Sequence, residues 1–162
     1  MEVLFPYTEI RKVQKALMAQ IQSSIENRQN LIAHAPTGLG KTAAAISVMI
    51  PYVLQHNLTA FFITPKHSQH YIAIETIKQI KAKYNKDFHS VDLIGKRHMC
   101  LQAGTELMTN GDFLDYCKEL RNHKQCEFFL NFENGVVNKR CQEDLELPLH
   151  VEELKNICKE HS

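Results

Sequence analysis

Between residues 8 and 27, apolar side chains recur at Ile10, Val13, Leu17, Ile21 and Ile25, a spacing that gathers them on one face of a helix. Residues 30–35 form a short apolar run ahead of a turn rich in Pro and Gly, the pattern of a buried strand. Residues 42–55 predict a helix, bent or tightened near Pro51, whose ring removes one backbone donor. Residues 59–64, Thr-Ala-Phe-Phe-Ile-Thr, predict a second buried strand. A helix over residues 67–84 follows, with Ala73, Ile77, Ile80 and Tyr84 on its apolar stripe, and residues 89–94 predict a third strand. Strand, helix, strand, helix, strand is the order of a parallel sheet with crossover helices, so the expected class is α/β. Beyond Gly95 this rhythm stops. The remainder is mixed and polar and holds all five cysteines. The expected boundary lies at 95–97, with a first domain of residues 1–95 and a second of residues 96–162.

The densest chemistry is in Ala35-Pro36-Thr37-Gly38-Leu39-Gly40-Lys41-Thr42, a phosphate-binding loop of the form A-x-x-x-x-G-K-T. Gly38 and Gly40 permit positive φ angles, which let backbone N–H groups close on phosphate oxygens. A helix that begins near Lys41 directs the positive end of its dipole at the same anion. Lys41 is placed to reach the β- and γ-phosphates, and the Thr42 hydroxyl to ligate Mg2+. An apolar run before the loop and an apolar helix after it are the flanks this motif requires. The turn therefore predicts a bound nucleoside triphosphate.

Bulk properties narrow the picture without deciding it. A chain of 162 residues, 44% hydrophobic and 23% charged, is long enough for one sizeable core and ordinary for a globular protein. The formal net charge of +1 announces no nucleic-acid partner, but it conceals an asymmetry. Up to Arg97 there are 12 Lys and Arg against 6 Asp and Glu, and from His98 onward the acids outnumber the bases. Two regions with different roles are expected. The N-terminus carries Glu2 early and has no basic lead into a long apolar stretch, and residues 43–54 are too short to span a bilayer, so the expected location is intracellular, cytoplasmic or nuclear. Cysteines in a reducing compartment point to metal binding or burial rather than to a disulfide framework.

The 35–42 turn resembles motif I of superfamily 2 helicases, particularly the XPD/DinG group. Phe5-Pro6-Tyr7 followed by Arg11 and Gln14 is similar to that group's opening segment, and the resemblance implies that Arg11 and Gln14 lie close to bound ATP. Thr64-Pro65-Lys66-His67-Ser68-Gln69 resembles motif Ia, which implies that Thr64, Lys66, His67, Ser68 and Gln69 hold the backbone of single-stranded DNA. All five can donate hydrogen bonds to phosphate oxygens. The bland alternative is a polar cap on the helix that starts at His67. On this resemblance the fold is an incomplete RecA-like parallel sheet of the P-loop NTPases, carrying a mostly helical iron–sulfur insertion. The activity is ATP-dependent unwinding of DNA, 5′ to 3′, in repair or replication, in company with repair-complex proteins. No Asp-Glu-x-His motif occurs in the 162 residues. The resemblance thus implies that the magnesium-holding acid and the second motor domain lie outside them, and that the chain alone binds ATP but scarcely hydrolyses it.

The same group inserts a 4Fe-4S domain after the third strand, opened by a basic segment that leads to a cysteine. Gly95-Lys96-Arg97-His98-Met99-Cys100 is similar to that opening, and Cys117 and Cys126 fall where the next two ligands are implied. The fourth stays open among Cys141, Cys158 and a cysteine beyond Ser162. Widely spaced thiolates suit an iron–sulfur cluster, whereas structural zinc favours a close Cys-x-x-Cys knuckle that this sequence lacks. Lys96, Arg97, Lys118, Arg121, Lys124, Lys139 and Arg140 are expected near the cysteines and along the path of a DNA strand. The competing reading is a P-loop nucleotide-binding module with a zinc-stabilised interaction arm and no motor activity. Brown protein favours the cluster; colourless protein with stoichiometric zinc favours the module.

Overall fold

In the computed structural model, which describes residues 2–135 and 148–160, the chain forms two compact units, Met1–Phe88 and His89–Ser162. The first holds α1 (Lys12–Glu26), α2 (Lys41–His56) and α3 (His67–Tyr84). These three helices follow the expected periodicity to within a few residues at each end. The first turn of α1 is closed by the Gln14 Oε1, which accepts the Arg11 N–H at 2.9 Å. Both α2 and α3 end on an asparagine in the left-handed region, Asn57 and Asn85, each with φ of 49°.

α2 is the centre of this unit. Ala43, Ala44 and Val48 pack with Leu17 and Met18 of α1, while Ile46 and Ile50 pack with Ala73 and Ile80 of α3. A helix buried on two sides has to be apolar nearly all round, which is why this stretch shows no polar face. The extended residues before α1 join the two clusters: Leu4 enters the α3 side and the next residue, Phe5, the α1 side. Pro51, buried inside α2, explains where that segment is anchored. Its missing N–H leaves the carbonyl four residues earlier, Ser47, without its helical donor, and the Leu4 N–H takes that place at 3.0 Å.

The parallel sheet expected from the sequence is not present. Among the described residues there is no strand ladder, only one isolated parallel bridge between Val91 and Leu149. Residues 30–35 and 59–64 belong to no helix or strand, and Ile32 is 98% exposed, Phe61 83% and Ile63 89%. The apolar runs record a β-favouring composition, but a strand in a sheet also needs a neighbour for its N–H and C=O groups, and no local pattern supplies one. The structure is helical where an α/β sheet was expected.

The second unit starts with residues 89–94, followed by α4 (Lys96–Met99), a 3-10 turn (Thr105–Leu107), α5 (Asn110–Asn122), α6 (Glu127–Glu133) and α7 (Val151–Glu160). Thr109 caps α5: its hydroxyl oxygen accepts the Asp112 N–H at 3.3 Å and its proton goes to the Asp112 carboxylate at 2.7 Å. Arg97 ties three pieces together, donating to the Glu106 carbonyl and to Asn110 Oδ1, both at 3.0 Å. Buried Asp92 accepts the first N–H of α7, Val151, at 3.1 Å and lies 3.6 Å from His150. Among the described residues no helix is long and apolar enough to cross a membrane.

Candidate nucleotide-binding site

The turn between residues 35 and 42 has the backbone that its glycines permit. Gly38 has φ of 79° and Gly40 of 83°, both in the left-handed region where a side chain costs about 1–2 kcal/mol. Gly40 has a second reason to lack a side chain, because a Cβ there would run into the Gln14 amide. That amide has little freedom to retreat: Gln14 is buried and its Nε2 donates to the Leu39 carbonyl at 2.9 Å.

Gly40 is the N-cap of α2, and the first helical bond runs from the Ala44 N–H to the Gly40 carbonyl at 3.0 Å. The N–H groups of Lys41, Thr42 and Ala43 precede that bond and have no acceptor within the helix. Together with the helix dipole they form a local field suited to an anion. Lys41 extends over the turn, its ammonium donating to the carbonyls of Ala35 at 2.9 Å and Pro36 at 2.8 Å. Phosphate oxygens entering the turn can exchange for those two carbonyls. Thr42 is half-buried one position further along. Arg11 reaches the Gly38 carbonyl at 3.5 Å, so Arg11 and Gln14 hold successive carbonyls of the turn from the α1 side. The residues singled out at 11, 14 and 35–42 are thus brought together, and their donors fit a triphosphate with its metal.

At residues 64–69 the Thr64 hydroxyl donates to the Lys66 carbonyl at 3.2 Å, and no side chain caps the N-terminus of α3. Thr64 is half-buried, while Lys66, His67, Ser68 and Gln69 are exposed.

The cysteines are placed differently. Cys100, Cys117, Cys126 and Cys158 form no disulfide and are half-buried, and Cys141 lies outside the described residues. Among the described residues no three His, Cys, Asp or Glu side chains gather as metal ligands. The ligand set implied for a 4Fe-4S cluster, Cys100, Cys117 and Cys126, is not gathered among the described residues. Each sulfur is carried by a different piece: the C-cap of α4, the middle of α5 and the N-cap of α6. Among the described residues, Lys96, Lys118 and Arg121 of the expected bases share one cavity. With Leu114, Asn122, Phe129 and Glu133 they line a cavity of about 470 Å³, in which the Arg121 guanidinium stacks over the Phe129 ring at 4.3 Å. Arg97 is engaged internally, and Lys139 and Arg140 lie outside the described residues.

A family profile described as the type III restriction enzyme, res subunit, matches residues 7–132. The chain belongs to this family. The matched span contains Arg11, the phosphate loop, the 64–69 turn and the cysteines at 100, 117 and 126. A probable ATP-dependent helicase of Methanocaldococcus jannaschii is 37% identical over 75 residues, 46% of this chain and 10% of that protein. The general transcription and DNA repair factor IIH helicase subunit XPD/RAD3 of Saccharomyces cerevisiae is 24% identical over 175 aligned residues, covering 96% of this chain and 20% of that protein. The corresponding XPD subunit of Dictyostelium discoideum is 23% identical over 150 residues, covering 82% of this chain and 19% of that protein. The chain spans a tenth to a fifth of the length of these relatives. No solved structure matches it. The similarity to XPD-like superfamily 2 helicases read from the 35–42 turn stands.

Two features of the site escaped the sequence. The resemblance implied that Gln14 lies close to ATP but not that it holds the Leu39 carbonyl, and the contacts that Lys83 and Tyr84 make with residues 5–7 span 76 to 79 positions of sequence, beyond any local pattern.

Proposed function

We propose that this chain is the ATP-binding part of an ATP-dependent DNA helicase that acts on single-stranded DNA. The observation that carries the reading is the glycine-hinged turn at the N-terminus of buried α2, with Lys41 over it and Arg11 and Gln14 braced on its carbonyls. ATP enters with its phosphates on the amides of residues 38–42, Lys41 neutralises the terminal phosphates, and Thr42 offers its hydroxyl to Mg2+. The strand lies along half-buried Thr64 and exposed Lys66, His67, Ser68 and Gln69, whose donor groups suit a phosphate backbone. Work in DNA repair alongside a multi-subunit complex, 5′-to-3′ polarity and completion of the motor by a second domain follow from the XPD-like resemblance. The 4Fe-4S domain likewise rests on the resemblance of the segment from Gly95 to Cys100 and on the positions of Cys117 and Cys126. No observation favours the zinc-stabilised module.

The cleft lined by Lys96, Lys118 and Arg121 supplies a second place for the strand, with Phe129 offering a ring for stacking. The test is fluorescence anisotropy of a labelled oligo-dT across a salt series. Binding should weaken with salt, and Lys118→Glu with Arg121→Glu should flatten the log–log slope by about 0.7 for each phosphate that is no longer neutralised. No binding by the wild-type chain at low salt would defeat the DNA reading, and an unchanged slope would remove this cleft from it.

A further inference from the structure

The last turn of α3 holds the segment that leads into Arg11 and Gln14. The Lys83 ammonium donates to three consecutive carbonyls, Phe5 at 2.9 Å, Pro6 at 3.4 Å and Tyr7 at 3.0 Å. The neighbouring Tyr84 hydroxyl donates to the Phe5 carbonyl as well, at 2.9 Å. Three adjacent carbonyls turned toward one point repel one another unless a cation sits among them, so Lys83 stabilises a path that residues 5–7 would otherwise leave. The upstream end is fixed by the Leu4 N–H on the Ser47 carbonyl and by burial of Leu4 and Phe5. Downstream, the chain reaches Arg11 and Gln14, which hold the Gly38 and Leu39 carbonyls. The N-terminal segment is thus gripped on both sides just before it delivers the two residues that brace the phosphate loop.

We propose that Lys83 is a positioning residue of the nucleotide site: without touching ATP, it sets where α1 begins, so that Arg11 and Gln14 meet the 35–42 turn. The inference rests on the nucleotide-binding reading above. Tyr84 supports the same path, and its ring lies 5.3 Å from the Lys83 ammonium. Lys83 is exposed and its aliphatic stem is not part of the buried clusters, so its head group rather than its packing carries the effect.

The experiment measures Mg·ATP affinity of the chain by equilibrium titration, for wild type, Lys83→Met, Lys83→Arg, Gln14→Ala and the Lys83→Met/Gln14→Ala double variant. Lys83→Met should weaken ATP roughly three- to tenfold, and Lys83→Arg should restore most of the loss. The double variant should lose less than the sum of the two single losses, because Lys83 acts in part through Gln14. A merely structural lysine gives additive losses, and that result overturns the proposal. Equal affinity in wild type and Lys83→Met also overturns it while leaving the nucleotide site intact; a wild-type chain that binds no ATP sinks the nucleotide reading itself. If Lys83→Met fails to fold, Tyr84→Phe, which deletes only the hydroxyl on the Phe5 carbonyl, should show the same non-additivity with Gln14→Ala.

Discussion

Replacing Lys41 with alanine should weaken ATP binding roughly 10- to 100-fold, since hydrogen bonds from a charged donor contribute about 1.5–3 kcal/mol. The ammonium is lost as a partner for the terminal phosphates, and this outweighs the release of the Ala35 and Pro36 carbonyls, which hold Lys41 only until phosphate oxygens replace them. The fold should barely register the change, because Lys41 is exposed and lies outside both buried clusters. Calorimetric titration of Mg·ATP into the wild-type and Lys41→Ala chains, with melting curves of each, separates the two quantities. A similar affinity in both would mean that the turn binds no triphosphate through this lysine.

Ile46→Ala should have the opposite signature, a loss of about 2–5 kcal/mol in unfolding free energy, measured by chemical denaturation. Ile46 is fully buried on the face of α2 that meets α3, among Leu4, Ile50, Ala73 and Ile80. Truncation removes three carbons from a site where four neighbours converge, and a helix held on both sides cannot move to close the gap. It also lies one helical turn beyond Thr42, so the phosphate loop stays rigid only while this packing does. A loss below about 1 kcal/mol would show that the α2–α3 packing described above is not what holds the unit.

Those two positions also show what the sequence made legible. The stripe of α1, the apolar stretch of α2 and the stripe of α3 are local periodicities, and local periodicity is enough to place a helix. The phosphate loop was equally readable, since its glycines and its Lys-Thr pair are adjacent in the chain and their spacing alone sets the geometry. The sheet was not. Ile32, Phe61 and Ile63 look like core residues in a one-dimensional reading, yet they are exposed and lie in no strand, because pairing depends on neighbours that a run of apolar residues does not specify. Within the second unit, the resemblance implied a mostly helical region, but the polar composition after Gly95 carried no periodicity that placed its individual helices. The cysteines were legible only as spacing: Cys100, Cys117 and Cys126 are carried on three separate helical pieces, and spacing along the chain does not say where such pieces meet. Least readable were the ties that need atoms far apart in sequence, such as Leu4 on the carbonyl that Pro51 leaves free, or Lys83 on residues 5–7.

The most direct examination of the phosphate loop is nuclear magnetic resonance of the nitrogen-15-labelled chain during titration with Mg·ATP. The amide signals of Gly38, Leu39, Gly40, Lys41 and Thr42 should shift most, saturably, with the Gln14 side-chain amide following them. If ATP leaves those five amides in place, or shifts a different surface while they stay still, the triphosphate does not sit at the N-terminus of α2 and the helicase assignment loses its structural basis.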